Sequence, residues 1–148
     1  MPGITADRHV VDIERLLRTV SALVTKRERD ILASFGITPS QLEVLQVLKR
    51  CGELTMGQLC QKLHLACSTA TDLVDRMERN GLLQRVREAS DRRVVRLHLL
   101  PKGEAVMEQV LAARHAHLTP GLGEMDPAEK QRLISDLTQL NNLIAREG

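Results

Sequence analysis

Apolar residues recur at helical spacing near both ends of the chain. Between Asp7 and Ser34 they fall three or four positions apart, which predicts one amphipathic helix of about seven turns. The apolar positions are Val10, Ile13, Leu17, Val20, Val24 and Ile31 near the start, and Leu133, Leu137, Leu140 and Ile144 near the end. The chain between them is too short to cover both apolar faces, so we expect each helix to need a partner. Residues 1–6 are expected to form a loose tail.

Helix-start signals divide the rest of the chain. A hydroxyl or carboxylate N-cap followed three residues later by Gln or Glu predicts a capping box. The boxes are Thr38-Pro39-Ser40-Gln41, Thr55-x-x-Gln58 and Asp126-Pro127-Ala128-Glu129. Two of them carry proline at the first helical position, where its missing N–H costs nothing. Gly36 and Gly52 follow the preceding helices as stop residues.

The stretch from Cys67 to Leu99 predicts a helix followed by a hairpin. Its helical part, Cys67 to Asn80, buries four residues at helical spacing and stops at Gly81. The four are Ala70, Leu73, Val74 and Met77. Residues 83–87 and 93–99 then predict two strands around a polar tip at 88–91. A further helix is predicted from Pro101 to about Leu118, broken by Thr119-Pro120-Gly121.

This order of elements predicts a mainly α fold with a small β-hairpin wing. It has about six helices arranged as a winged helix-turn-helix. Phe35 is the only aromatic residue, so the core must be aliphatic. The same scarcity argues against binding single-stranded nucleic acid, which relies on bases stacking on aromatic rings. The simplest cover for the terminal helices is a second copy of the chain.

Positive charge is concentrated in the middle of the chain. The net charge is +1 over residues 1–60, +4 over 61–103 and −3 over 104–148. This asymmetry favours a polyanionic partner for the central stretch. The absence of a signal peptide and of a long apolar run predicts a cytoplasmic protein without a membrane partner.

Few other motifs suggest chemistry. The sequence contains no zinc-protease, Walker or dinucleotide-binding motif, so neither an enzyme nor a cofactor is expected. His115 and His117 are two residues apart on a predicted helix and therefore face different ways, which argues against a metal site. The three cysteines form no C-x-x-C pair, and the simplest interpretation is that Cys51, Cys60 and Cys67 are small reduced core residues.

The side chains of the central stretch suit double-stranded DNA. A major groove admits one α-helix, and short hydroxyls near its N-terminus let the backbone approach phosphates and base edges. Ser68, Thr69 and Thr71 occupy that end, and Arg76 has the length to reach guanine or phosphate. The hairpin adds Arg85, Arg87, Arg92, Arg93 and Arg96, and an arginine at its tip can enter the minor groove. Each of these features by itself also has a purely structural interpretation. Hydroxyls at a helix start are typical of a helix cap, and arginines on a strand are typical of a solvated strand face.

The sequence resembles the MarR (multiple antibiotic resistance regulator) family of winged helix-turn-helix transcription regulators. The matching blocks are T-P-S-Q-L-E-V-L at 38–45, L-T-M-G-Q-L at 54–59, S-T-A-T at 68–71, L-V-D-R-M-E-R-N-G-L-L at 73–83 and S-D-R-R-V-V-R-L-H-L-L-P-K-G at 90–103. The resemblance implies an intertwined homodimer whose two lobes bind a pseudo-palindromic operator, usually as a ligand- or stress-responsive repressor. It implies a dimerisation helix at 7–36, a DNA-binding lobe at 37–100 and dimerisation helices at 101–148.

The resemblance also assigns roles. It places Ser68, Thr69, Thr71 and Arg76 on the DNA-contacting helix, Arg93 as the wing arginine and Asp91 as the residue that orients it. The chain departs from the family at Ala66, where Ser or Thr is frequent, at Cys67, where a basic residue is frequent, and at Asp72, near which Arg or Lys is common. Asp72 is expected either to accept from a cytosine amino group or to orient Arg76.

Three alternatives remain open at this stage. A small-molecule effector is implied by the resemblance, but the chain lacks the Tyr and Trp that would line a phenolate site. Cys67 is a candidate redox residue because a helix N-terminus stabilises a thiolate. Finally, a winged helix can serve as a protein-interaction module instead of a DNA reader, and salt-dependent DNA binding separates the two.

Overall fold

The computed structural model describes residues 7–147, so the predicted tail at 1–6 lies outside the described residues. The described chain forms six helices and three short strands. They are α1 (Arg8–Ser34), α2 (Pro39–Cys51), β1 (Leu54–Thr55), α3 (Met56–Leu63), α4 (Cys67–Arg79), β2 (Leu83–Arg87), β3 (Val95–Leu99), α5 (Pro101–Gly123) and α6 (Pro127–Ala145). The fold class expected from the sequence, mainly α with a small wing, is confirmed. The chain divides into two compact units, one up to Leu111 and one from Ala112 onward.

All three predicted capping boxes are present. The side chains of Thr38, Thr55 and Asp126 each accept from the backbone N–H three residues later, at 3.2, 3.2 and 2.8 Å. The Gln or Glu at that third position accepts in return from the N–H of the cap. These bonds satisfy donors that a helix start leaves open, so the helix boundaries lie where the sequence predicted them.

The wing belongs to a three-stranded antiparallel sheet in the order β1-β3-β2. Leu83 is paired with Leu99 at one end of the hairpin, and Arg87 with Val95 at the other. The sequence did not predict β1, because two residues are too few to show alternation. The second strand was predicted two residues too early. The Arg93 N–H donates to the Asp91 side chain and therefore forms a turn instead of a ladder bond.

The core of the first unit is aliphatic, as the composition predicted. Its fully buried side chains come from every helix of the unit and from both wing strands. They include Leu32, Leu45, Leu59, Val74, Met77, Leu83, Leu97 and Val110. This packing holds α3 and α4 together as the helix-turn-helix, with His64 in the left-handed conformation at the turn (φ 52°).

The base of the wing is fastened to the start of α5. Lys102 Nζ donates to the Asn80 carbonyl at 2.7 Å, and the Leu100 N–H donates to the Leu82 carbonyl at 3.1 Å. A Cβ at position 103 would overlap the same Leu82 carbonyl oxygen, so only glycine fits there. The wing and α5 are therefore in backbone contact.

The second unit contains the end of α5 and all of α6. The prediction that Thr119-Pro120-Gly121 breaks the helix was wrong, because α5 continues through Pro120 to Gly123. Proline has no N–H, so at this position the helix lacks one backbone hydrogen bond. Pro120 lies near the end of α5, and the helix continues for one more turn without that bond. The Thr119 hydroxyl donates to the His115 carbonyl at 2.8 Å beside this point.

Within residues 7–147 no single helix has both the length and the apolar composition to cross a membrane. Helices α1 and α2 meet that test only when taken together, and they are bent by 84° relative to each other.

Candidate nucleic-acid interface

Helix α4 begins without a side-chain cap. Its N-cap is Ala66, which has no hydrogen-bonding group, whereas α1, α2, α3 and α6 each begin with a side chain that accepts from their first turn. The N–H groups of residues 67–69 consequently remain open to an external acceptor. A helix N-terminus of this kind attracts phosphate through its N–H groups and its dipole.

The hydroxyls beside this helix start differ in what they can offer. Ser68 and Thr69 are exposed. Thr71 is also exposed, but its hydroxyl donates to the Cys67 carbonyl at 2.7 Å. Its proton is therefore committed, and the Thr71 oxygen is left as an acceptor only.

Three of the predicted site residues line one open cleft on the outer side of α4. Thr69, Asp72 and Arg76 share this cleft, whose volume is about 270 Å³, with Ser40 from the first turn of α2. Sequence reasoning missed Ser40, although it lies inside the Thr38–Gln41 capping box. Leu73 was predicted to face inward, but it is only partly buried because it also lines this cleft.

The wing tip presents one exposed arginine that is paired with a neighbouring carboxylate. The Arg93 side chain is 92% exposed, and its Nε and Nη2 donate to the two carboxylate oxygens of Asp91 at 3.2 and 3.4 Å. The Arg93 N–H also donates to Asp91 Oδ1 at 3.1 Å. The Arg93 guanidinium and N–H hold the pKa of the Asp91 carboxyl below its usual range. Asp91 thus orients the exposed Arg93 guanidinium at the wing tip.

Arg87 and Arg92 support the same tip. Arg87 Nη1 donates to the Arg92 carbonyl at 3.1 Å and so closes the loop between the strands. The Arg92 side chain is exposed. Together with Arg93 they give the wing an exposed basic end.

Two further hairpin arginines form ion pairs with carboxylates of the same chain. Arg85 forms ion pairs with Asp75 at 2.7 Å and Glu78 at 3.0 Å, both on α4. Arg96 pairs with Glu88 at 2.6 Å near the tip end of the hairpin. The expectation that all five hairpin arginines face a DNA backbone is corrected here, because these two are partly buried against carboxylates.

Comparison with known proteins places this geometry in a family. The MarR family model matches residues 37–95, the helix-turn-helix and most of the wing. A helix-turn-helix transcriptional regulator of Bacillus subtilis, YsmB, is 48% identical over 110 residues, covering 74% of this chain and 75% of that protein. The chain belongs to the MarR family.

Two further proteins extend the comparison. The structure of a MarR family protein from Bacillus stearothermophilus aligns with a TM-score of 0.79 and 43% identity, covering 93% of this chain and 96% of the other. The helix-turn-helix transcriptional repressor MdtR of Bacillus subtilis is 32% identical, covering 76% of this chain and 72% of that protein. The chain is thus a winged-helix transcriptional regulator of the MarR family.

The cysteines of this MarR-family chain are not all core residues, as the simplest interpretation had them. Cys60 on α3 is buried, whereas Cys51 and Cys67 are exposed. The neighbouring Cys67 thiol and burial together raise the pKa of the Cys60 thiol. Within residues 7–147 no group of three His, Cys, Asp or Glu side chains is placed to hold a metal ion.

Proposed function

We propose that the protein is a cytoplasmic, dimeric repressor that binds a pseudo-palindromic operator in double-stranded DNA. In this proposal α4 enters the major groove, and the wing reaches the adjacent minor groove. The residues proposed to contact DNA are Ser68, Thr69, Thr71, Asp72 and Arg76 on α4, with Arg87, Arg92 and Arg93 on the wing positioned by Asp91. Ser40 is added as a contact from the first turn of α2.

One observation carries the proposal. The uncapped start of α4 and the exposed wing arginine belong to the same unit of the fold, and Arg85 joins their supporting elements through Asp75 and Glu78. The start of α4 offers backbone N–H groups, which bind phosphate. The wing offers the Arg93 guanidinium, which binds phosphate or enters a minor groove of negative potential. Among the described residues, the start of α4 receives no side-chain cap, and the Arg93 side chain remains 92% exposed although it is paired with Asp91.

The dimer is proposed from exposed apolar faces. Eight large apolar side chains of α1 are between 38% and 63% exposed, which is unusual for a helix of a stable monomer. They are Val10, Val11, Ile13, Leu16, Leu17, Val20, Leu23 and Val24. Helix α6 exposes Leu133, Ile134, Leu137, Leu143 and Ile144 in the same way. A second copy is the simplest cover for both faces, so we assign residues 7–36 and 101–148 to dimerisation and 37–100 to DNA binding.

The proposed repressor role and the proposed response to an effector are based on similarity to related proteins. The relative MdtR is named a repressor, and we extend that role to this chain. A small-molecule or stress signal is proposed to release the operator, because a regulator needs an input that changes its affinity for DNA.

Footprinting on the DNA upstream of the protein's own gene tests the proposal. We expect two protected half-sites about one helical turn apart, roughly 34–36 Å. Binding should weaken steeply with added salt, in proportion to the phosphates contacted. Protection of a single half-site would contradict the two-lobe arrangement. Absence of salt-dependent DNA binding would favour a protein-interaction module.

A further inference from the structure

The wing hairpin is attached to the rest of its unit at the base. Leu83 on β2 and Leu97 on β3 are both fully buried in the core. Arg85 lies directly opposite Leu97 in the strand register, and 26% of its side chain is exposed. Arg85 therefore marks the point at which the hairpin leaves the core.

Farther out, the hairpin forms polar contacts with itself. These contacts join Arg87 to the Arg92 carbonyl, Arg96 to Glu88 and Arg93 to Asp91. A two-stranded hairpin is at best marginally stable by itself. The direction in which its tip points is consequently set by the contacts at its base.

Arg85 holds the base through two carboxylates of α4. Its Nη2 meets Asp75 Oδ1 at 2.7 Å, and its Nη1 meets Glu78 Oε1 at 3.0 Å. Its backbone N–H donates to Glu78 Oε2 at 2.7 Å. A guanidinium carries its donors in a rigid planar fork, so two carboxylates one turn apart fix its orientation as well as its place. Helix α4 is itself held in the core by Val74 and Met77, which are fully buried.

We propose that Arg85 is a positioning residue that fixes the wing relative to α4, and that the contribution of the wing to operator affinity depends on its fork with Asp75 and Glu78. Arg85 itself is not assigned a contact with DNA. The placement of the wing, the first half of this inference, is a property of the free protein and is judged without DNA. The effect on affinity, the second half, rests on the proposed function.

The length of the hairpin makes its direction important. Each strand residue adds about 3.3 Å, so Glu88 lies roughly 10 Å beyond Arg85 along the strand. A rotation of roughly 15° at the base moves a point at that distance by roughly 2.6 Å. This displacement is more than a hydrogen bond tolerates. The exposed Arg93 at the tip is the group that such a rotation carries away from its position.

A purely electrostatic role for Arg85 predicts a different outcome. Asp75 and Glu78 lie on the helix proposed to enter the major groove, and their carboxylates repel phosphate unless a cation neutralises them. Lysine at position 85 supplies the same charge, but its ammonium is a point charge on a flexible stem and lacks the fork. Arg85→Lys therefore separates the two roles, because it keeps the charge and removes the geometry.

Residual dipolar couplings of the full-length protein test the placement without DNA. In the unmodified protein we expect the backbone N–H vectors of α4 and of the whole hairpin to fit a single alignment tensor. In Arg85→Lys the hairpin beyond position 85 should need a tensor of its own. Arg79→Lys, at an exposed position in the last turn of α4, is the matched control and should behave like the unmodified protein. A shared tensor in Arg85→Lys, or separate tensors in the unmodified protein, would overturn the first half.

Operator binding tests the consequence through a double-mutant cycle. Arg93→Ala is expected to weaken binding by about tenfold or more in the unmodified protein, and by less than about threefold in the Arg85→Lys background. The cost falls because a misplaced wing no longer brings Arg93 to the groove. Arg76→Ala removes a proposed contact of α4 itself and should cost the same in both backgrounds. In the Arg79→Lys background the full cost of Arg93→Ala should be preserved.

The remaining outcomes of the cycle decide against the second half. An undiminished cost of Arg93→Ala in the Arg85→Lys background would show that the wing binds without the fork. An equal reduction for Arg76→Ala would show a general loss of structure instead of a misplaced wing. If the unmodified protein does not bind the operator, the proposed function fails together with the second half, whereas the dipolar couplings still decide the first.

Discussion

The carboxylate of Glu78 accepts hydrogen bonds from both the backbone N–H and the guanidinium of Arg85, at 2.7 and 3.0 Å. Glu78 lies in the last turn of α4, and Arg85 is the middle residue of β2. Asp75, one turn earlier in α4, gives Arg85 a second carboxylate at 2.7 Å. The wing is therefore tied to α4 by a partly buried cluster of charges.

Glu78→Ala should loosen this connection. It removes a charged acceptor from the Arg85 N–H as well as from its guanidinium, and we expect the free energy of unfolding to fall by about 1–2 kcal/mol. Chemical denaturation at a fixed protein concentration measures the change. Asp75→Ala is the matched control, since it removes only a side-chain ion pair of small worth, and it should cost less than about 1 kcal/mol. Equal losses in the two variants would contradict the role of the backbone acceptor.

Arg93→Ala should weaken operator binding at least tenfold, which corresponds to about 1.4 kcal/mol. The Arg93 side chain is almost fully exposed and makes its only ion pair among the described residues with Asp91, so the dimer and its stability should be preserved. The slope of log affinity against log salt should fall by about one unit. Arg132→Ala, an exposed arginine on α6, serves as the charge-matched control and should leave both quantities unchanged. Unaltered binding by Arg93→Ala would refute its assignment to the DNA.

The Asp91 carboxyl should titrate below an ordinary aspartate. Its folded-state pKa is lowered by Arg93, so its contribution to wing stability is complete above the unfolded pKa, near 3.9, and is lost as the pH falls through the lowered folded value. The wing should consequently show no Asp91-linked change between about pH 5 and 8. Titration of the Asp91 carboxyl carbon by NMR measures this, and Arg93→Ala should return the midpoint to the ordinary range. A midpoint at or above the ordinary value would contradict the pairing.

Asp72→Ala should change which operator sequences are preferred. Asp72 and Arg76 line the same cleft but form no ion pair within residues 7–147, so orientation of Arg76 is the less supported of the two roles considered for Asp72. Acceptance from a cytosine amino group predicts that the variant loses about 1–3 kcal/mol of discrimination at one base pair per half-site. Binding to a set of single-base operator variants measures the loss. If Asp72 acts through Arg76, the double variant should instead be strongly non-additive.

Val20→Glu should disrupt the dimer. The Val20 side chain is 56% exposed on the apolar face of α1, and a glutamate there would be buried without a partner in the proposed interface. Sedimentation equilibrium should show at least a tenfold weaker association. Ala22→Glu is a suitable control, because two residues along the helix place it on nearly the opposite side. Dimers of equal strength in both variants would place the interface elsewhere.

Local signals in the sequence predicted most of the fold. The boxes at Thr38, Thr55 and Asp126 act within a single turn of helix, and the apolar spacing in α1 and α6 reports a face without reference to any other element. The same locality explains why Ser68, Thr69 and Arg76 could be placed on the outer side of α4 before its neighbours were known. The helical spacing of the sequence alone indicates that these short hydroxyls and this arginine lie away from the buried face of the helix.

Contacts between distant residues decided the rest. The sequence gives Arg85, Arg93 and Arg96 the same chemistry, and only the fold separates the exposed Arg93 from the two that meet carboxylates on other elements. Helix caps and periodicity are fixed by neighbours within about four residues. The burial and charge partner of a side chain depend on the packing of the whole unit, which no local pattern records.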